Sequence, residues 1–335
     1  MVSRILLTGG LGFIGSHTAF LLSEKYEVII FDNLYNSKLD VLDNIKKISK
    51  NPENIHFYKG DITNKNDLQD VFNIHKNIDA VIHFASLKAV GESVNIPLVY
   101  YKNNINGLIN LLEVMKINNC LKIIFSSSAT VYGSQQLSPL KENMSVGSFI
   151  TNPYGQTKYF QEQIIQDYVK VNPEMSASIL RYFNPVGAHP SGLIGENPNG
   201  IPGNLFPYLL KVVSNEYPVL NIFGNDYNTN DGTCLRDFIH VMDLADGHKC
   251  VLENLNGLTI YNLGSGKGTS VLELINTFER VNNIKVPYKI MPRRQGDIDI
   301  LYADSSKIYN ELGWKTKYTV EDICKDGYNF MKNNF

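Results

Sequence analysis

The feature that most constrains the fold is a glycine-rich turn near the start of the chain. Residues 4–8 form a short apolar run, as expected for a buried parallel strand, and Gly9, Gly12 and Gly15 follow it. A helical pattern then continues through Leu22. This order predicts a dinucleotide-binding βαβ unit, because the glycines let backbone amides approach a pyrophosphate at the helix N-terminus.

An acidic residue after the next apolar run indicates which dinucleotide binds. Asp32 directly follows residues 27–31 and lies about 20 residues beyond the glycines, where a carboxylate bonds the adenine ribose hydroxyls. The same carboxylate would repel a ribose 2′-phosphate. The sequence therefore favours NAD over NADP.

Apolar strand candidates alternate with helical patterns through the first half of the chain. This alternation predicts an α/β fold with a doubly wound, parallel Rossmann-type sheet. After residue 183 the chain becomes rich in Gly, Pro and Asn, so we expect a NAD-binding domain over 1–183 and a smaller, loop-rich substrate domain over 184–335. A strand at 258–263 is expected to rejoin the first sheet. The other predicted strands are 4–8, 27–32, 55–59, 80–84, 121–126 and 176–182, and the predicted helices are 12–24, 65–76, 95–118 and 153–171.

Composition limits the partners that this chain is expected to have. A net charge of −2 gives no reason to expect nucleic acid or a membrane. The histidines lack metal-ligand spacing and the cysteines are scattered, so neither a metal site nor a disulfide framework is predicted. The absence of a signal-peptide pattern and of an apolar stretch near 18 residues makes a cytoplasmic location the expectation. The cysteines are Cys120, Cys234, Cys250 and Cys324.

A tyrosine and a lysine four residues apart are the first candidate catalytic pair. Asn152 is a good N-cap and Pro153 suits the first helical position, so Tyr154 and Lys158 are expected on one helix face. An ammonium beside a phenol favours the phenolate, and we expect the pKa of Tyr154 to fall below its usual value of roughly 10. Alone, this spacing is common and also fits an ordinary exposed helix.

Further polar groups follow other predicted strands. Residues 126–133 are rich in hydroxyls, which either contact a sugar or tyrosine hydroxyl or cap their own turn. Asn184 offers a donor and an acceptor after the strand at 176–182. Arg236 and the Arg293-Arg294 pair are candidate phosphate ligands, although for any one of these arginines taken alone a surface ion pair is the safer interpretation.

Sequence stretches along nearly the whole chain carry a family resemblance. They are TGGLGFIGSHT (8–18), FDNLYNSK (31–38), GDI (60–62), HFASLKAVGES (83–93), FSSSATVYG (125–133), NPYGQTK (152–158), RYFNPVGAHPSG (181–192), FGNDY (223–227), RDFIHVMDLADGH (236–248), YNLGSGKG (261–268) and PRRQGD (292–297). In this order the chain resembles the UDP-glucose 4-epimerase family of the extended short-chain dehydrogenase/reductase superfamily. The stretches LKAVGES and RYFNPVGAHPSG are the most specific to that family.

The resemblance implies a role for each matching residue. Tyr154 is the general base, Lys158 modulates its pKa and Ser128 orients the sugar 4′-hydroxyl. The NAD site is implied to include Gly9, Gly12, Phe13, Ile14, Gly15, Asp32, Asn33, Asn36, Ser37, Asp61, Ile62, Phe84, Ala85, Lys88, Asn103, Ser128, Tyr154, Lys158 and Tyr182. The UDP-sugar site is implied to include Lys88, Ser128, Tyr154, Asn184, Asn204, Leu205, Asn221, Phe223, Arg236, Arg294, Asp297 and Leu301.

The activity implied by the resemblance is interconversion of UDP-glucose and UDP-galactose through a 4′-keto sugar, with NAD retained throughout. The resemblance also implies a homodimer that pairs through the helices at 95–118 and 153–171. Leu301 is implied to border the sugar 2′ position, where a tyrosine is associated with rejecting N-acetylated sugars and a cysteine with accepting them. Weak activity on N-acetylated UDP-sugars is therefore expected. The alternatives are a catalytically idle NAD-binding regulator, which the intact Ser128, Tyr154 and Lys158 disfavour, and a dehydratase or decarboxylase. A dehydratase needs an acid pair where Ala129-Thr130 stand.

Overall fold

The computed structural model describes residues 3–134, 137–294 and 297–335, so the 292–297 stretch lies outside the described residues at 295–296. The strands are β1 (Arg4–Thr8), β2 (Glu27–Asp32), β3 (Ile55–Lys59), β4 (Ile78–His83), β5 (Lys122–Ser128), β6 (Ser176–Tyr182), β7 (Asn184–Val186), β8 (Leu220–Phe223), β9 (Leu235–Arg236), β10 (Phe238–His240), β11 (Leu258–Leu263), β12 (Thr269–Ser270), β13 (Tyr288–Met291) and β14 (Ile300–Leu301). The helices are α1 (Phe13–Leu22), α2 (Asp40–Ile48), α3 (Lys65–Ile74), α4 (Val90–Asn95), α5 (Pro97–Ile117), α6 (Pro153–Val171), α7 (Leu205–Val213), α8 (Val241–Glu253), α9 (Val271–Asn282), α10 (Ser306–Leu312) and α11 (Val320–Asn334).

A parallel sheet of seven strands, among the described residues, organises the molecule. Its order is β11-β6-β5-β4-β1-β2-β3, and every neighbouring pair is parallel. The strand order reverses direction between β1 and β4, which is the switch point where open α/β sheets bind ligands. This sheet confirms the predicted α/β, doubly wound Rossmann-type fold.

The two faces of the sheet are both buried, which explains the continuous apolar runs in the sequence. Leu7, Ile30 and Ile82 belong to one hydrophobic cluster with α1, α2 and α8. Leu6 and Ile29 alternate with them and pack on the opposite face beside α3, α5 and α6. Alternating side chains therefore anchor helices on both faces.

The second half of the chain folds around short strands. β7 pairs with β10, β9 lies between β12 and β14, and β8 pairs with β13. Phe206, Leu274, Phe278 and Ile323 form a separate hydrophobic cluster there. β11 is the exception, since it pairs with β6 and extends the large sheet. The division of the chain at 183/184 remains a prediction.

One helix prediction needs correction, and two helices in the first half of the chain were missed. Residues 95–118 do not form one helix, because Ile96 has φ −131° and ψ 56° and α5 begins anew at Pro97. The α2 and α4 helices were not predicted. The first buries only Leu42 and Ile45 and the second only Ser93, so neither leaves a long apolar pattern.

Within the described ranges, no helix is both long and apolar enough to span a bilayer. The four cysteines are free thiols. In the same ranges there is no cluster of metal-binding side chains.

Candidate active site

The glycine turn at the carboxyl end of β1 leaves no room for side chains. Gly9 has φ +70°, and a Cβ there would lie 2.7 Å from the backbone nitrogen of Ala85. A Cβ at Gly15 would lie 2.4 Å from the carbonyl oxygen of Gly9. Gly12 is the N-cap of α1 and provides no side-chain cap. The helix N-terminus is therefore open to an anion such as a pyrophosphate.

Asp32 ends β2 and is nearly buried. One carboxylate oxygen accepts hydrogen bonds from the Leu34 amide (2.9 Å) and the Ser37 hydroxyl (2.8 Å), and the other accepts from the Leu11 amide (3.0 Å). Asp32 thus joins the glycine turn to the loop after β2. An acidic side chain at the end of the second strand is the position from which dinucleotide-binding folds bond an adenine ribose.

The remaining residues predicted for NAD lie after β2, β3 and β4, on α5 or at the start of α1. Asn33 donates to Asp61 (3.0 Å), and Asn103 donates to Asn104 (2.9 Å). Lys88 is paired with Glu196 at 2.8 Å, a partner that sequence reasoning missed. The others are placed in the same region: Asn36 accepts from the Asn199 amide, Ile62 is buried, Phe84 and Ala85 are half-buried, and Phe13 and Ile14 begin α1.

The three predicted catalytic residues come from β5 and α6. Asn152 caps α6 by accepting a hydrogen bond from the Gly155 amide at 2.8 Å, and Pro153 is the first helical residue. Tyr154 and Lys158 are then on one helix face, facing the end of β5 where Ser128 lies. The hydroxyl of Ser128 hydrogen-bonds to Tyr154 and lowers its pKa.

The predicted fall in the pKa of Tyr154 is wrong for this structure. Burial raises the pKa of Tyr154 to about 12 and outweighs the hydrogen bond from Ser128. Burial also lowers the pKa of Lys158 to about 7. The lysine ammonium donates to the Ser126 carbonyl at 2.7 Å and lies 5.8 Å from the Tyr154 ring centre. Desolvation, which the sequence pattern does not report, dominates both groups.

A buried ion pair beside this site was also missed. Glu162 and Arg181 are almost fully buried and form two hydrogen bonds, of 3.0 and 2.7 Å. Ser127 donates to the same carboxylate at 2.5 Å. Glu162 follows Lys158 by one further helical turn. The four-residue spacing of Tyr154, Lys158 and Glu162 could therefore have placed Glu162 on the same helix face.

Tyr182 lies directly beside Ser128 in the β5–β6 register. Its hydroxyl is hydrogen-bonded to the Nε2 atom of His248, whose ring contacts Phe84 with centroids 5.0 Å apart. His248 is the last residue of the 236–248 stretch, and sequence reasoning gave it no role. The rings of Phe84, Tyr182 and His248 therefore pack together where the end of β4, the end of β6 and α8 meet.

The residues predicted for the UDP portion fall into two groups. Asn184 and Asn221 each have a buried side-chain oxygen with no hydrogen-bond partner among the described residues, so each can accept from a ligand. Asn204 is exposed at the N-cap of α7, next to Leu205, and makes no side-chain cap. These amides are free to bind polar groups.

The second group is built around Asp297. Arg236 lies 3.5 Å from one of its carboxylate oxygens, and Arg294 donates to the other at 3.0 Å. Arg294 also lies over the Phe223 ring, 4.9 Å from its centre. Arg293 instead pairs with Asp226 at 2.8 Å. The two arginines beside Asp297 are thus Arg236 and Arg294.

Leu301 lies near both this group and the predicted catalytic residues. It lies opposite Arg236 in the β9–β14 register. It also packs, half-buried, in a cluster that contains Ala129 and Phe183. Ala129 follows Ser128, and Phe183 precedes Asn184, so Leu301 lies between the two parts of the site.

The fold and the Ser128, Tyr154, Lys158 set define an extended short-chain dehydrogenase/reductase. The GDP-mannose 4,6 dehydratase family model matches residues 6–327. The chain is 50% identical to the bifunctional UDP-glucose 4-epimerase and UDP-xylose 4-epimerase 1 of Pisum sativum, covering 99% of this chain and 96% of that protein. It is 50% identical to the UDP-glucose 4-epimerase of Haemophilus influenzae, covering 98% of each.

A solved structure agrees with these sequence relatives. The UDP-glucose 4-epimerase of Bifidobacterium longum, in complex with NAD+ and UDP, superposes with a TM-score of 0.94 at 48% identity over 99% of each chain. The chain belongs to the UDP-glucose 4-epimerase family.

Proposed function

We propose that this protein interconverts UDP-glucose and UDP-galactose by NAD-dependent oxidation and reduction at C4′. The observation that carries the proposal is the position of Leu301. Leu301 pairs with Arg236 in the β9–β14 register and packs against the cluster that contains Ala129, the residue after Ser128. The group of Arg236, Arg294 and Asp297, which suits diphosphate binding, therefore lies near the group of Ser128, Tyr154 and Lys158, which suits proton transfer. The bound complex of the Bifidobacterium longum relative supports the same ligands.

The described residues fit NAD. The glycine turn is too tight for a Cβ, the N-terminus of α1 is open, and Asp32 is held at the end of β2. Bound NAD⁺ supplies an acceptor for the C4′ hydride and returns it. Because this cycle has no net redox change, we propose that the cofactor stays bound throughout.

Tyr154 is proposed to take the proton from the 4′-hydroxyl, which Ser128 orients. Since burial holds the pKa of Tyr154 near 12, the phenolate requires positive charge close by. The Lys158 ammonium and the charged nicotinamide ring provide it. The 4′-keto sugar then turns about its link to the diphosphate, and Tyr154 returns the proton after hydride reaches the opposite face.

The UDP group is proposed to remain fixed while the sugar turns. Arg236 and Arg294 bind the diphosphate, and the free side-chain oxygens of Asn184 and Asn221 accept hydrogen bonds. Binding energy from this remote group offsets the cost of leaving the sugar mobile.

Ala129 and Thr130 distinguish this activity from dehydration. They follow Ser128 in a short 3-10 turn, and neither side chain carries the acid that elimination of water requires. The match to a dehydratase family model therefore reflects the shared scaffold.

The test is incubation of the purified protein with UDP-galactose, followed by chromatography for UDP-glucose. We expect conversion without added NAD and release of NAD on denaturation. No conversion with NAD supplied would reject the activity. Release of NADP instead would reject the role of Asp32.

A homodimer in the cytoplasm is part of the proposal. Leu98 and Ile109 on α5 and Phe160 and Val171 on α6 are exposed apolar side chains on two adjacent helices, a surface suited to a second copy of this chain. Free cysteines fit a reducing compartment. Sedimentation should give a dimer that Phe160→Glu weakens, with Ile74→Glu on α3 as the exposed control.

A further inference from the structure

The hydrogen bond between Tyr182 and His248 has a defined direction. The Nδ1 atom of His248 lies 2.7 Å from the carbonyl oxygen of Leu244. A carbonyl oxygen only accepts, so Nδ1 carries a hydrogen. Burial lowers the pKa of His248 to about 4, so the ring is neutral and Nε2 is bare. The Tyr182 hydroxyl must therefore donate to Nε2.

This direction matters because Tyr182 is next to the proposed base. The Tyr182 hydroxyl interacts with Ser126, and burial raises its pKa, as does the charge of Tyr154. Two phenols thus share one buried region, and only one of them should exchange a proton with the sugar. Lys158 on α6 lies 5.8 Å from the Tyr154 ring centre. At the end of β4, burial and the charge of Lys158 lower the pKa of His83.

We propose that His248 is a positioning residue for the proposed epimerisation, which holds the Tyr182 proton on the side away from Tyr154. Tyr182 then presents only oxygen lone pairs to the site. It neither gives a proton to the Tyr154 phenolate nor replaces it as the base. This inference rests on the proposed function only through its kinetic test.

The kinetic test is His248→Phe, which keeps a ring against Phe84 but removes the acceptor. The freed Tyr182 hydroxyl can then donate toward the Tyr154 phenolate. We expect the ascending limb of the kcat/KM pH profile to move down by roughly one to two pH units, the size of a hydrogen bond to an ionised group. In a Tyr182→Phe background, His248→Phe should cause no further shift. An unchanged profile, or a shift that persists in that background, would overturn the proposal.

A second measurement does not require activity, and the His248 signals are identified by their loss in His248→Phe. In ¹⁵N-histidine NMR of the wild-type protein, His248 should remain neutral, with a protonated Nδ1 and a bare Nε2, between about pH 6 and 8. A protonated Nε2 would overturn the hydrogen-bond direction. If the wild-type protein fails to epimerise, the proposed function fails while this spectrum still decides the state of His248.

Discussion

Lys158 donates a 2.7 Å hydrogen bond to the carbonyl oxygen of Ser126, while its ammonium lies 5.8 Å from the centre of the Tyr154 ring. The lysine is therefore held by the strand that carries Ser128. Both groups lie in a buried region, where electrostatic interactions are strong but charged groups are costly to bury.

Removal of the Tyr154 hydroxyl tests the proposed base. Tyr154→Phe should lower turnover by about 10²–10⁴, the usual contribution of general acid–base catalysis, because the nearby Tyr182 phenol is hydrogen-bonded to His248. UDP binding, measured by calorimetry, should persist because the residues proposed to bind the diphosphate are separate from Tyr154. The neighbouring Tyr159→Phe is the control and should retain activity. A Tyr154→Phe variant with a third of wild-type turnover would contradict the mechanism.

Lys158 should make stability depend on pH. Its folded pKa of about 7 lies below the unfolded value of about 10.4, so between these values the unfolded chain binds the extra proton. The free energy of unfolding should therefore rise with pH from about 7 to 10, by at most about 1.4 kcal/mol per unit. Urea unfolding at several pH values measures this slope. Lys158→Met should flatten it, and equal slopes in the two proteins would refute the assignment.

The Glu162–Arg181 pair should be strongly coupled to folding. Glu162→Gln leaves the buried Arg181 charge unpaired and should cost about 3–5 kcal/mol in unfolding free energy. Glu321→Gln is the matched control, since its pair with Arg280 is exposed and screened by solvent, so its loss should change the unfolding free energy far less. Chemical denaturation compares them. Similar losses in both variants would show that burial does not determine the effect.

Leu301 should influence which sugars are accepted. Leu301→Tyr should depress the reaction of UDP-N-acetylglucosamine relative to UDP-glucose, because overpacking commonly costs about 1–3 kcal/mol. Leu301→Cys should raise the same ratio by making room for the acetamido group. The measurement is kcat/KM on both substrates. If neither variant changes the ratio, selectivity is set elsewhere.

Local sequence patterns determined most of the fold. The predicted strands 4–8, 27–32, 55–59, 176–182 and 258–263 coincide with observed strands, because strands buried on both faces are continuous apolar runs. The glycine turn was equally clear, since positive φ and close backbone contact restrict Gly9 to glycine. The α2 helix was not predicted because a short helix with two buried side chains leaves little apolar pattern in the sequence.

Only the tertiary structure decided how the site is arranged and charged. The pairing of Glu162 with Arg181, of Lys88 with Glu196 and of Tyr182 with His248 joins residues from separate elements, so no local pattern specifies it. The direction of the pKa shift at Tyr154 was likewise misjudged from the sequence. Its spacing from Lys158 is local, but desolvation is the sum of contacts from several packed segments, and it exists only once the chain has folded.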